Sequence, residues 1–267
     1  LSKDIKNVSP LLLKPFKKND NLPTEVRPLV DSLNFLLVKL EESMNKERKF
    51  IDYASHELRT PLTVIKTKTQ FLIKKHKNDQ ELNEDLTNLL IAVDRIINLS
   101  NQLLILSRID TENKIVKKEK FNLGFLTSEI AANFYSIAHI KNIKISTEIE
   151  GGCIIDANKF HMEILLGNLF DNAIKYSPNK EKVLVELKKE DKNIIFSIHN
   201  KGELISKDAQ KHIFDRFYRA GNSNQDGSGL GLSIVKRIAD LHEVKISFIS
   251  EKQGNRVILN FNEVLKE

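Results

Sequence analysis

Phe50-Ile-Asp-Tyr-Ala-Ser-His-Glu-Leu-Arg-Thr-Pro-Leu62 opens a run in which Ile51, Leu58, Ile65 and Leu72 recur every seven residues, with Ala54, Leu62 and Thr69 flanking the same stripe. A seven-residue apolar repeat is the seam of a coiled coil or helical bundle. Upstream, Pro10, Pro15, Pro23 and Pro28 forbid a long helix before about Glu25. Leu29, Leu33, Leu36, Leu37 and Leu40 then take up helical spacing. Downstream, a polar break at Lys74 to Gln80 precedes a second periodic run, Leu82, Leu86, Leu89, Leu90, Val93, Ile96, Ile97, Leu103 and Leu104. That stripe is wider than a two-strand seam needs, so each helix should meet more than one neighbour. A lone helical hairpin cannot bury such faces; pairing two hairpins into a four-helix bundle can, which predicts a homodimer.

Beyond about Lys118 the pattern turns to mixed helix and strand. A helix near Leu123 to Ala138 precedes an alternating strand Ile143, Ile145, Thr147, Ile149, and a second helix runs from Lys159 to Tyr176 with Pro178 just past its end. Val183, Val185, Leu187 and Ile194, Phe196, Ile198 alternate as two further strands, and a final hairpin turns at Gln253-Gly254-Asn255. Helices with antiparallel strands in this order predict a two-layer α/β sandwich after the bundle.

Composition narrows the function classes. The chain has 267 residues, a net charge of +6 and 29% charged residues, as a soluble, charge-rich protein would. No stretch approaches the ~20 uninterrupted apolar residues of a membrane span. The lysines are spread along the chain without a nucleic-acid motif, so no direct nucleic-acid role is expected. The single Cys153 excludes an internal disulfide and suits a small buried hydrophobe. The chain opens on Leu1 rather than Met, which reads as a part of something longer.

His56 lies five positions past Ile51, about 140° round the helix from the seam, and is expected to face solvent. A surface histidine is ordinarily no more than that, but Glu57 can orient or activate the imidazole and Thr60, one turn on, shares its face. A zinc-protease helix would need a second histidine where Thr60 stands, so that reading fails. The segment Phe50 to Leu62 resembles the phosphoacceptor box of sensor histidine kinases, Pro61 included, where the family carries a bend-forming proline. Leu22-Pro-Thr-Glu-Val-Arg-Pro-Leu-Val-Asp-Ser-Leu-Asn34 resembles the end of a HAMP signalling segment of QseC-type and PmrB-type sensors.

The second half supplies further motifs. Asn168-Leu-Phe-Asp-Asn-Ala-Ile-Lys-Tyr176 puts Asn168, Asn172, Lys175 and Tyr176 on one helical face, where amides can hold Mg²⁺ or its waters and lysine can meet phosphate. The plain alternative is an amphipathic helix with a polar face. The segment resembles the N box of GHKL-type ATP-binding domains, in which the counterpart of Asn172 binds magnesium. Gly227-Ser-Gly-Leu-Gly-Leu232 leads into a helical pattern, and glycines at a helix start let N–H groups approach phosphate; it resembles the G2 box, with Gly227, Gly229 and Gly231 as its glycines. Ile213-Phe-Asp-Arg-Phe-Tyr-Arg219 resembles the F box, with Phe214 and Phe217 expected to anchor a lid over 220–226 by packing. Asn200-Lys-Gly-Glu-Leu204 departs from the family's Asp-x-Gly-x-Gly: Gly202 keeps its place, Asn200 can still accept from adenine but without charge, and Leu204 replaces a glycine.

The resemblance implies three parts: a partial HAMP linker over 1–42, a dimerising phosphotransfer hairpin over 43–112 and a catalytic ATP-binding domain over 119–267. It implies ATP and Mg²⁺ as cofactors, Lys175 and Arg219 contacting phosphates, His56 as acceptor with Glu57 as general base, and Thr60 in removing phosphate from a response regulator receiver domain. It also implies a cytoplasmic portion of a bacterial inner-membrane protein whose transmembrane sensor is absent from this chain. Two rivals are a GHKL-type ATPase that never phosphorylates itself and a weakly active regulator-binding scaffold.

Overall fold

The computed structural model describes residues 27–76, 79–111, 116–191, 193–220 and 227–262. The HAMP-like stretch before residue 27, the lid residues 221–226 and the side chains of Ile51 and His56 lie outside the described residues.

Helix α1 (Arg27–Lys75) runs unbroken through residue 42 and through Pro61, and helix α2 (Gln80–Thr111) folds back on it. Arg59 Nη2 donates to Asn101 Oδ1 at 2.6 Å and Lys66 Nζ meets Asp94 Oδ1 at 2.8 Å, which fixes the antiparallel register and sets position 56 level with Leu104. Leu62 and Thr69 on α1 are buried, as are Leu86 and Val93 on α2. Leu58, Ile65 and Leu72, on the seven-residue line, are 50%, 42% and 39% exposed, so the apolar surface of α1 continues past what α2 covers. By length and average composition α2 is apolar enough to cross a membrane, although no long uninterrupted apolar run occurs in it. It packs along α1 and pairs Asp94 with Lys66 there.

The second unit is a two-layer α/β sandwich. Strands β1 (Glu119–Asn122) and β3 (Ile154–Ala157) form a small antiparallel pair; β2 (Lys144–Ile149), β4 (Lys182–Glu190), β5 (Asn193–Asn200), β6 (Lys245–Glu251) and β7 (Gly254–Asn262) form a sheet in the order β2-β4-β5-β7-β6. Helices α3 (Leu123–Ile140), α4 (Lys159–Lys175) and α6 (Gly231–Leu241) cover one face, and α5 (Lys207–His212) is a short turn of helix. Against the expectation of antiparallel strands throughout, β2 pairs β4 in parallel, so the sheet is mixed. The chain between them crosses over through β3 and α4, and such a crossover is what parallel neighbours require.

Alternation explains the core. Val183, Val185 and Leu187 of β4 and Ile194, Phe196 and Ile198 of β5 point to one side, against Leu165, Leu166, Leu169 and Phe170 of α4 and Ile234 and Ile238 of α6, all buried. Helix α4 begins because Asn158 Oδ1 accepts from His161 N at 3.0 Å. It ends where Lys141 Nζ donates to the carbonyls of Ile174 and Lys175 at 3.3 and 2.9 Å, a cation on a helix C-terminus. The apolar face of α4 is thereby sealed into the core, and its polar face turns toward a cleft.

Candidate nucleotide site and its relation to the phosphotransfer hairpin

A cleft of about 1500 Å³ lies between α2 and the sandwich. Asn168, Asn172, Lys175, Tyr176, Asn200, Arg219, Gly227, Gly229 and Gly231 all line it. Gly202 does not, but a Cβ there would lie 2.6 Å from Asn255 Nδ2 and 3.0 Å from Asn200 Nδ2, so only glycine lets those two amides close in beneath it. Leu204 is 66% exposed and stands outside the cleft lining. Its side chain therefore takes no space from a ligand.

The phosphate-loop candidate and the polar face of α4 are in contact. A Cβ on Gly227 would lie 2.5 Å from Lys175 Nζ, and one on Gly231 would lie 3.1 Å from Asn168 Oδ1 and 3.4 Å from Asn172 Nδ2. Helix α6 starts at that loop with no side-chain cap on Leu230, which leaves N–H groups of its first turn for an anion. Asn168 Nδ2 is held by the Ile164 carbonyl at 2.8 Å, leaving its oxygen on the cleft side. Asn172 Nδ2 is buried without a partner. The unpaired Nδ2 is a donor suited to an anionic oxygen at the glycine loop, and the amide's Oδ1 is the atom that could take a divalent cation or a water bound to it.

Charge in the cleft is tuned by burial. Burial raises the Asp171 carboxyl above its ordinary range against the opposing charges of Lys175 and Lys141, and raises the Tyr176 phenol against the charge of Arg219. Lys175 Nζ also sits 5.5 Å from the centre of the Tyr176 ring. Phe217 is 58% exposed, its φ is 63° and its backbone meets Gly229; the stretch 221–226 that it is expected to anchor lies outside the described residues.

Three contacts that the sequence did not mark join the two units. Ser228 Oγ donates to Gln102 Oε1 on α2. Asp110, in the last turn of α2, takes Arg237 Nε at 2.5 Å on one oxygen and Arg216 Nη2 at 3.0 Å on the other. Gln102 and Leu104 lie two residues apart on α2, so the phosphate loop docks within about 3 Å, measured along the helix axis, of the level of His56. Glu57 and Thr60 are exposed on α1.

A hairpin carrying a histidine box, followed by a nucleotide-cleft sandwich, defines the class. The family model "His Kinase A (phospho-acceptor) domain" matches residues 46–112, and "Histidine kinase-, DNA gyrase B-, and HSP90-like ATPase" matches residues 157–264. The chain belongs to the sensor histidine kinases of two-component systems. It is similar to "Sensor protein QseC" of Salmonella typhimurium, 36% identical over 236 residues, which is 87% of this chain and 51% of that protein. It is likewise similar to "Sensor protein kinase PmrB" of Pseudomonas aeruginosa, 31% identical over 222 residues, 83% of this chain and 46% of that one. The chain thus spans about half the length of these relatives. A solved structure of full-length ShkA in complex with AMPPNP superposes with a TM-score of 0.66 at 25% identity, covering 82% of this chain and 47% of that one. The Acinetobacter baumannii histidine kinase AdeS shares the fold, with a TM-score of 0.56 at 21% identity over 79% of this chain and 98% of that one.

Proposed function

We propose that this chain phosphorylates itself on His56 from ATP, hands the phosphoryl group to an aspartate of a response regulator receiver domain, and in a separate reaction removes it from that regulator. The observation that carries this reading is the contact of Ser228 with Gln102, which brings the phosphate loop to the height of His56 on the hairpin.

In the first step a neutral His56 nitrogen forms a bond to the γ-phosphorus, the bond from that phosphorus to the bridging oxygen breaks, and ADP departs with the electron pair. Glu57, exposed beside His56 in the chain, takes the imidazole proton. Lys175 and Arg219 meet phosphate oxygens, and the first turn of α6 offers N–H donors. Asn172 would hold a divalent cation, with Asn168 beside it in the nucleotide cleft, and that cation would supply charge neutralisation on the triphosphate. Leu58, Ile65 and Leu72, left exposed on one hairpin, support a homodimer in which a second hairpin covers them. The same reading puts the chain on the cytoplasmic side of a bacterial inner membrane, below a transmembrane sensor that is not in this chain, with 1–42 as linker, 43–112 as phosphotransfer hairpin and 119–267 as catalytic domain.

One assay tests it against an ATPase or an inert scaffold. With γ-labelled ATP, the parent should gain label that survives alkali and is lost in acid, as a phosphoramidate does, and His56→Gln should gain none. ATP hydrolysis with no bound label would favour the ATPase, and neither would favour the scaffold.

A further inference from the structure

Two neighbouring amides on α2 are each taken by a different part of the molecule. Asn101 Oδ1 accepts from Arg59 Nη2 of α1 at 2.6 Å, and Gln102 Oε1 accepts from Ser228 Oγ of the glycine loop. Consecutive helical residues point about 100° apart, so position 101 can face the other arm of the hairpin while position 102 faces the sandwich. The bonded partners are 42 and 126 residues apart in the chain, so neither bond is a by-product of local helix geometry. Both amides line the cleft.

The far ends of these two bonds are what matter for transfer. On α1, Arg59 directly precedes Thr60 and lies three residues, about 60° of azimuth, past His56. On the sandwich, Ser228 has glycine on either side, and its Oγ accepts from the Leu230 amide at 3.1 Å. That hydroxyl is tied inward to the start of α6 and outward to α2. Flanking glycines leave the loop backbone little to set its own course, so the grip on Ser228 fixes where the N–H groups of the loop stand. The ion pairs of Asp110 do a different job: Asp110 lies about 12 Å further along α2 than Gln102, and it holds Arg216 and Arg237, both outside the loop.

A misplacement of about 1 Å between reacting groups can cost on the order of 100-fold in rate. Resting on the autophosphorylation reading above, we propose that Asn101 and Gln102 are positioning residues for phosphoryl transfer to His56. Together they tie the phosphoacceptor box and the phosphate loop to one short step of α2. Each acts through the residue it holds, Arg59 or Ser228, and not on the reacting atoms.

The test is the initial rate of labelling of the whole chain from γ-labelled ATP with Mg²⁺, followed across ATP concentrations. Each rate is divided by the number of sites that bind a non-hydrolysable ATP analogue in calorimetry, so a poorly folded fraction does not count. Gln102→Ala and Asn101→Ala should each lower the rate at saturating ATP at least about tenfold, with the half-saturating concentration within about threefold of the parent's. Asn101→Asp keeps an acceptor for the Arg59 guanidinium and should stay within about threefold of the parent. Ser228→Ala should also slow labelling, and adding Gln102→Ala to it should cost no more than about twofold further, because the two remove one and the same bond. A rate in Gln102→Ala that is unchanged or raised, a loss that appears in the half-saturating concentration instead, additive losses in the pair, or Asn101→Asp no better than Asn101→Ala overturns the proposal. If the parent binds the analogue yet gains no label, the autophosphorylation reading itself falls, and this inference with it.

Discussion

The amide of Phe217 donates to the carbonyl of Gly229 at 3.0 Å, and both residues carry a positive φ, 63° and 72°. The segments on either side of residues 221–226 are thus stapled to each other at the backbone. A non-glycine residue in the left-handed region is strained, and the staple is what over-determines it. Phosphate-loop shape and F-box shape are therefore one structural variable.

Gly229→Ala should break that variable. The new Cβ would lie 2.7 Å from the Phe217 carbonyl carbon and 2.9 Å from its Cα, on a backbone already at a φ of 72°. We expect a cost of about 1–3 kcal/mol, focused on the loop, with nucleotide affinity reduced at least about tenfold. Calorimetric titration with an ATP analogue checks this, and parent-like affinity would contradict it.

Asn172→Ala should abolish Mg²⁺-dependent nucleotide binding while the sandwich stays folded. The side chain faces the Gly231 turn and lies outside the apolar core, so its loss leaves that core intact. The readout is the difference between nucleotide affinities with and without Mg²⁺. A difference equal to that of the parent would assign Asn172 to plain structure.

Thr60→Ala should leave labelling of His56 near normal and strongly slow the loss of label from a phosphorylated regulator. Thr60 is exposed and lies four residues, about 40°, past His56, so its hydroxyl can orient a water toward a docked partner. Equal rates of regulator dephosphorylation in variant and parent would remove this role.

Acid should loosen the sandwich through His242. Burial, then the neighbouring His161 and Lys118, push the His242 imidazole down from 6.5 to about 4, and its Nε2 lies 3.1 Å from His161 Nδ1. The native state holds His242 neutral while the unfolded chain protonates it below 6.5, so unfolding takes up a proton in that window. Stability should fall as pH drops from 6.5 to about 4, level off below, and show no His242 contribution above 6.5; the effect is on the order of 3 kcal/mol. Urea midpoints of parent and His242→Gln should converge on acidification through this window, and parallel curves would argue against it.

Much of this was legible in the sequence, for reasons that differ by element. The seven-residue line through Leu58, Ile65 and Leu72 gives the hairpin because helix period is encoded locally. The parallel pairing of β2 with β4 is not legible, since Ile143, Ile145 and Thr147 alternate identically whichever way the neighbour runs. Strands β1 and β3 have four residues each, too few for alternation to register. The cleft residues of α4 were visible because glycine and amide spacing is local. Asn255 looked like a turn residue, yet it is the cross-strand partner of Asn200, and only the register makes it part of the cleft. Asp110 has partners 106 and 127 residues away, a relation no local pattern carries.

That carboxylate has a mechanical consequence. Asp110 is grasped from two directions, by Arg216 before residues 221–226 and Arg237 after them, and it rides the last turn of a long rod. Its carboxylate stands off the axis of α2, so a twist of α2 about that axis displaces it sideways and changes both grips at once. Torque delivered along the hairpin would thus arrive at the cleft not as a push on the sandwich but as a change in tension between the two segments that flank residues 221–226.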